Sequence, residues 1–174
     1  MEPRQLSEEL RNGSNPDLNR RRWIIGLSIL GSAVAQIVSL YQTGIIKKLP
    51  DPPIPIFDSD KVDASDYAYK RMNSPDGPGM IASYAVTTML ASAGGKDRAS
   101  QSPFLPIAMG AKILGDSAVA LKLAQEEWAE NKKLCAYCQV ATLASLASIA
   151  LAAPEVISAV RNLLGKKDPS QLVY

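Results

Sequence analysis

Apolar residues in this chain are gathered into blocks. From Trp23 to Ile46 the sequence WIIGLSILGSAVAQIVSLYQTGII carries no charge, and a helix needs only about 20 such residues to cross a bilayer core. A second uncharged run, LCAYCQVATLASLASIALAAP, extends from Leu134 to Pro154. Gly79 to Gly95 is shorter, at the lower limit for a span, and Pro103 to Ala124 is interrupted by Lys112, Asp116 and Lys122. The four blocks predict an all-α fold: a transmembrane four-helix bundle with an extended Pro-rich outer loop.

The polar stretches give the bundle a direction. Residues 1–22 end in Arg20, Arg21 and Arg22 directly against the first block, so the positive-inside bias places them in the cytoplasm. Four spans return residues 165–174 to the same side, leaving 23–164 as the membrane domain. The first block is longer than the apolar core of a signal peptide and no small-residue cleavage site follows it, which predicts a retained anchor. The expectation is a multi-pass protein of the bacterial inner membrane, surrounded by lipid.

In the long connection from Lys47 to Pro78, Pro50, Pro52, Pro53 and Pro55 forbid a helix and favour extended backbone. Ser65 is placed to cap a short helix through Asp66–Lys70, and SPDGP at Ser74–Pro78 reads as the turn that ends it. The link from Gly94 to Pro103 reads as a hydrophilic turn. Ser28, Ser32, Ala35 and Ser39 share a face of the first span, as do Ala141, Ser145, Ser148 and Ala152 of the last. Small residues so spaced let membrane helices approach closely.

Composition narrows the chemistry. A net charge of +2 argues against nucleic acid as the main partner, and the absence of histidine removes the Ser/His triad and imidazole acid–base catalysis. No phosphate-binding glycine loop occurs. Cys135 and Cys138, the sole cysteines, stand where the polar EEWAENKK segment meets the last block. At i and i+3 their sulfurs share a helix face, and the free N–H groups of a helix start stabilise a thiolate. Lys132 and Lys133 add positive charge nearby. Cys135 is then the exchanger with a soluble partner, and Cys138, one turn deeper, faces an acceptor in the membrane. The rival uses are zinc, which wants about four ligands where the sequence offers two, and a pair of inert buried thiols. Lys112 and Asp116, four residues apart, share a face and neutralise each other within the bundle. Trp23 and Trp128 read as interfacial anchors.

Several segments resemble the bacterial branch of the vitamin K epoxide reductase family: LYQTGIIKKLPDPP at Leu40–Pro53, FDSDKVDASDYAY at Phe57–Tyr69, SPDGPGMIASYAVT at Ser74–Thr87, GAKILGDSAVA at Gly110–Ala120 and, most specifically, EEWAENKKLCAYCQVAT at Glu126–Thr142. The resemblance implies a membrane four-helix bundle in which Cys135 and Cys138, at the outer end of the last helix, pass electrons from a thiol partner to a quinone, with Cys138 nearer the quinone. Fuller members carry a second cysteine pair in the loop after the first helix; Lys47–Pro78 has none. A thioredoxin-like partner must then reach the CAYC pair directly, with no metal in the cycle. The other reading is a non-catalytic membrane subunit that scaffolds a larger complex and keeps the cysteines as a clasp. A soluble helical protein is a third, suggested only by near-zero mean hydropathy.

Overall fold

The computed structural model describes residues 2–71 and 73–165. Among these it has eight helices and no strand: α1 (Pro3–Asn12), α2 (Pro16–Gln42), α3 (Ser59–Asp63), α4 (Asp66–Tyr69), α5 (Asp76–Ser92), α6 (Arg98–Gln101), α7 (Phe104–Asn131) and α8 (Ala136–Leu163). The long helices α2, α5, α7 and α8 form the expected bundle. Three of them, α2, α7 and α8, are long and apolar enough to cross a membrane, so the charged third block qualifies despite Lys112 and Asp116. The expected tail is outside the described residues from 166 onward.

Several boundaries move. α2 starts at Pro16, ahead of the arginine triplet, because Asn15 caps it by accepting the Asp17 and Leu18 N–H groups at 2.8 and 3.4 Å. The SPDGP segment is no terminating turn: Pro75 is the N-cap of α5, and Asp76, Gly77 and Pro78 are its first residues. Proline is tolerated in a first turn, where no intrahelical N–H bond is lost. The short helix after Ser65 ends at Tyr69; Ser65 flanks it but gives its hydroxyl to the Val62 carbonyl at 2.7 Å instead of capping. The link before α7 contains the short helix α6. α8 runs through Pro154 to Leu163, nine residues beyond the apolar run.

Neighbouring helices are antiparallel. Gln42, at the end of α2, donates to Asp76 at 2.7 Å and accepts the Gly77 N–H at 3.1 Å, at the start of α5. At the opposite end Arg21 of α2 donates to the carbonyls of Ala93, Gly94 and Gly95, at the finish of α5. These carbonyls lack intrahelical partners, and the guanidinium satisfies them. Arg98 completes that end. It forms a bidentate pair with Glu155 of α8, at 2.8 and 2.9 Å, and donates to the Leu90 and Ala93 carbonyls. All three charged side chains are buried.

Small residues set how closely the helices approach. A Cβ on Gly31 would lie 2.4 Å from the Tyr84 ring, and one on Gly110 would lie 2.6 Å from Val156. Ser28 and Ala35 of α2 and Ala141, Ser145, Ser148 and Ala152 of α8 are buried, as the small-residue stripes predict, while Ser32 and Ser39 are half-buried. Ile29, Leu30, Leu114, Leu143 and Ile157 face outward, the arrangement expected where the solvent is lipid.

Candidate functional site

The CAYC pair sits at the end of the bundle opposite Arg98 and Glu155, under the long connection. Lys132 has φ 54° and breaks α7; three residues later Cys135 is the N-cap of α8. Its Sγ accepts the Cys138 N–H at 3.2 Å, the role a serine or aspartate usually fills. Both cysteines are free thiols.

The connection is pinned over this helix start. Asp58 N–H donates to the Leu134 carbonyl at 3.1 Å and Leu134 N–H to the Ile56 carbonyl at 3.0 Å, forming one parallel bridge between Phe57 and Leu134. Ser59 Oγ accepts the Ala136 N–H at 2.9 Å and itself donates to Asp51. Tyr137 reaches back to the Pro50 carbonyl at 2.9 Å. These contacts close Cys135 off completely, at 0% exposure. Cys135 is therefore not the more exposed sulfur that its position nearer the helix end predicts; Cys138 is half-exposed and Cys135 is sealed.

The charge around the thiols also departs from expectation. Lys133 donates to the Pro55 carbonyl, on the loop, and Lys132 is exposed. Two acids stand in their place. An Asp63 carboxylate oxygen lies within 4.8 Å of the Cys135 sulfur, and Cys135 N–H donates to Glu127 Oε2 at 3.3 Å. Asp63 is 1% exposed, Glu127 2%. Burial pushes the Asp63 carboxyl up to about 7, held back by the neighbouring Cys135 thiol and reinforced by Asp76, Asp51 and Asp60. Burial likewise pushes the Cys135 thiol up, not down. An Asp63 oxygen and both sulfurs lie within 4.8 Å of one another, three donors where a closed zinc site uses four.

Cys138 opens on a cavity of about 480 Å³ between α5, α7 and α8. Met80, Val119, Ala120, Leu123 and Ala141 make its walls apolar, while Tyr84, Thr142 and Glu127 supply isolated polar groups. The Tyr84 hydroxyl donates to the Ala141 carbonyl at 2.6 Å and meets Ser145 Oγ at 3.0 Å. At the outer end Arg71 pairs with Glu126 at 2.7 Å and lies 4.8 Å from the centre of the Tyr67 ring. Lys112 and Asp116 form the ion pair predicted from their spacing, shared with Ser83, which donates to Asp116 at 3.0 Å. Asp116 also borders the cavity. The cavity's size and largely apolar lining with a few polar groups suit a small-molecule ligand.

Asp63 and Glu127 were not singled out by the sequence. Asp63 lies in an acidic loop and Glu127 in a run read as interfacial, and only the fold brings them to the thiols.

No curated protein and no solved structure matches the chain. A model of the vitamin K epoxide reductase family matches residues 22–153, which include most of the bundle, the covering loop and both cysteines. The chain belongs to the vitamin K epoxide reductase family, and with its three long apolar helices it is a membrane protein of that oxidoreductase family.

Proposed function

We propose that this protein is a quinone-dependent thiol oxidoreductase: a partner dithiol reduces the Cys135–Cys138 disulfide, and the resulting dithiol passes two electrons to a quinone in the cavity beside Cys138. The observation that carries the reading is the placement of one sulfur on each side of a wall. Cys138 borders the apolar cavity; Cys135 is under the loop.

The residues divide the work accordingly. Met80, Val119, Leu123 and Ala141 would hold a quinone ring and exclude water, while the Tyr84 and Thr142 hydroxyls, which donate to the Ala141 and Cys138 carbonyls, would have to turn from them to bond its oxygens. A bound quinone supplies the two-electron acceptor. Helix α8 holds both sulfurs one turn apart, so disulfide closure needs no large backbone movement. The loop lacks cysteines of its own, so a thioredoxin-like partner must attack this pair directly, and the bonds at Phe57, Ser59 and Pro50 must open to admit it. The site lies on the outer face of a bacterial inner membrane, with both termini cytoplasmic, as the arginine triplet orients α2.

Purified protein in detergent should oxidise dithiols when, and only when, a quinone is supplied, and Cys138→Ala should abolish turnover. Undiminished turnover in that variant would sink the mechanism. A non-catalytic subunit of a larger complex instead predicts that replacing both cysteines with serine leaves function intact.

A further inference from the structure

A thiol cannot form a disulfide until it loses its proton, and Cys135 is poorly equipped to lose one to water. It is fully buried, burial raises its pKa, and no cation is among the groups that act most on it. The acid beside its sulfur is Asp63, with an oxygen within 4.8 Å. The groups that act most on Asp63 are Asp51 from the Pro-rich segment, Asp60 from α3, Asp76 from α5 and Cys135 from the start of α8; Tyr41 of α2, Tyr69 of α4, Glu127 of α7 and Cys138 of α8 also feel the Asp63 charge. None of them is a cation. One carboxylate oxygen, Oδ2, is buried and has no hydrogen-bond partner. A carboxylate in this setting is costly as an anion and comfortable as an acid.

We propose that Asp63 is the proton acceptor of Cys135: with an oxygen within 4.8 Å of the sulfur, it takes the thiol proton as the Cys135–Cys138 disulfide closes, and returns it when the disulfide is reduced. The inference rests on the redox reading above. In the oxidative half, the two S–H bonds break and one S–S bond forms. Two electrons pass to the quinone, which takes one proton from Cys138 and one from water through the cavity; the Cys135 proton rests on Asp63. In the reductive half, a partner dithiol becomes a disulfide, its two electrons reopen the S–S bond, and Asp63 reprotonates Cys135. One partner proton goes to Cys138 and the other to water. The sum is partner dithiol plus quinone giving partner disulfide plus quinol.

A carboxyl held at about 7 suits both directions, because it is neither too weak a base to take the proton nor too weak an acid to return it. Placement of an acid in the loop also gives that loop a chemical task in a chain without loop cysteines.

Reduced-minus-oxidised infrared difference spectra of the full chain in detergent, with diamide as oxidant, test the inference without any quinone. The S–H bands should disappear on oxidation while a protonated-carboxyl C=O band appears, and Asp63→Asn should lose that carboxyl band. Asp63→Asn should also close its disulfide about 100-fold more slowly, within the range of a general base, with the near-neutral limb of the pH–rate profile gone. Asp63→Glu should restore part of the rate, and it serves as the test if Asp63→Asn does not fold. An unchanged carboxyl band in Asp63→Asn, no such band in the wild type, or wild-type closure rates in Asp63→Asn would each overturn the proposal. In Asp63→Glu, a carboxyl band at the wild-type position would do so as well. Failure of the wild type to reduce quinone, with the infrared signature intact, would instead count against the redox reading alone.

Discussion

Asp63 and Cys135 are far apart in the sequence, yet the fold brings a carboxylate oxygen within 4.8 Å of the sulfur. The cysteine spacing was legible because i and i+3 on one helix is a local relation, and so was Lys112–Asp116. The acid at Asp63 was not, because its meeting with Cys135 depends on the pairing of Phe57 with Leu134, which no periodicity encodes. Nor could spacing show that Lys133 turns to the Pro55 carbonyl and leaves the thiols without a cation. The carboxyl has a consequence for stability. Its pKa rises from 3.8 unfolded to about 7 folded, so the native state binds the proton more tightly. The Asp63 contribution is fully present below about pH 4 and is lost as pH rises through about 7. Thermal unfolding in detergent between about pH 5 and pH 8 should show a steeper loss of stability in the wild type than in Asp63→Asn; parallel curves would contradict the assignment.

At the scale of elements, hydropathy located the four long helices but not the contacts at their ends. Arg21 reads as one of three topology-setting arginines and Arg98 as part of a hydrophilic turn, and Glu155 lies just past the last uncharged run. In the fold all three are buried together, and α8 continues past Pro154 to carry Glu155 there. Removing one member of a buried pair strands the other, so Glu155→Ala should cost about 3–5 kcal/mol, read as a lowered midpoint of thermal or denaturant unfolding. A loss under 1 kcal/mol, about the value of an exposed pair, would show that the cluster is hydrated. The small-residue stripe makes its own claim at Gly31, where an added Cβ runs into the Tyr84 ring. Gly31→Val should destabilise the bundle by about 1–3 kcal/mol through overpacking and, by shifting Tyr84, raise the KM for quinone more than it lowers kcat.

For the whole molecule, the family match, the apolar helices and the cavity bear on one arrangement: a lipid-facing bundle with a pocket at one end and a loop fastened across the thiols. The class of fold was visible in the blocks of apolar sequence, because a bilayer imposes length and composition on its helices. The cavity was not, since it is the space left where α5, α7 and α8 fail to meet, and its lining comes from residues between Tyr67 and Ser145. On the proposed function, that arrangement separates the partner-facing and quinone-facing sides of one sulfur pair. A single-turnover experiment addresses it most directly: fully reduced protein in detergent is mixed with one equivalent of a short-chain quinone, and quinol and remaining thiols are counted together. The account predicts one quinol formed and two thiols lost per chain, with neither change in Cys138→Ala. Folded, reduced protein that keeps both thiols in the presence of the quinone would contradict it.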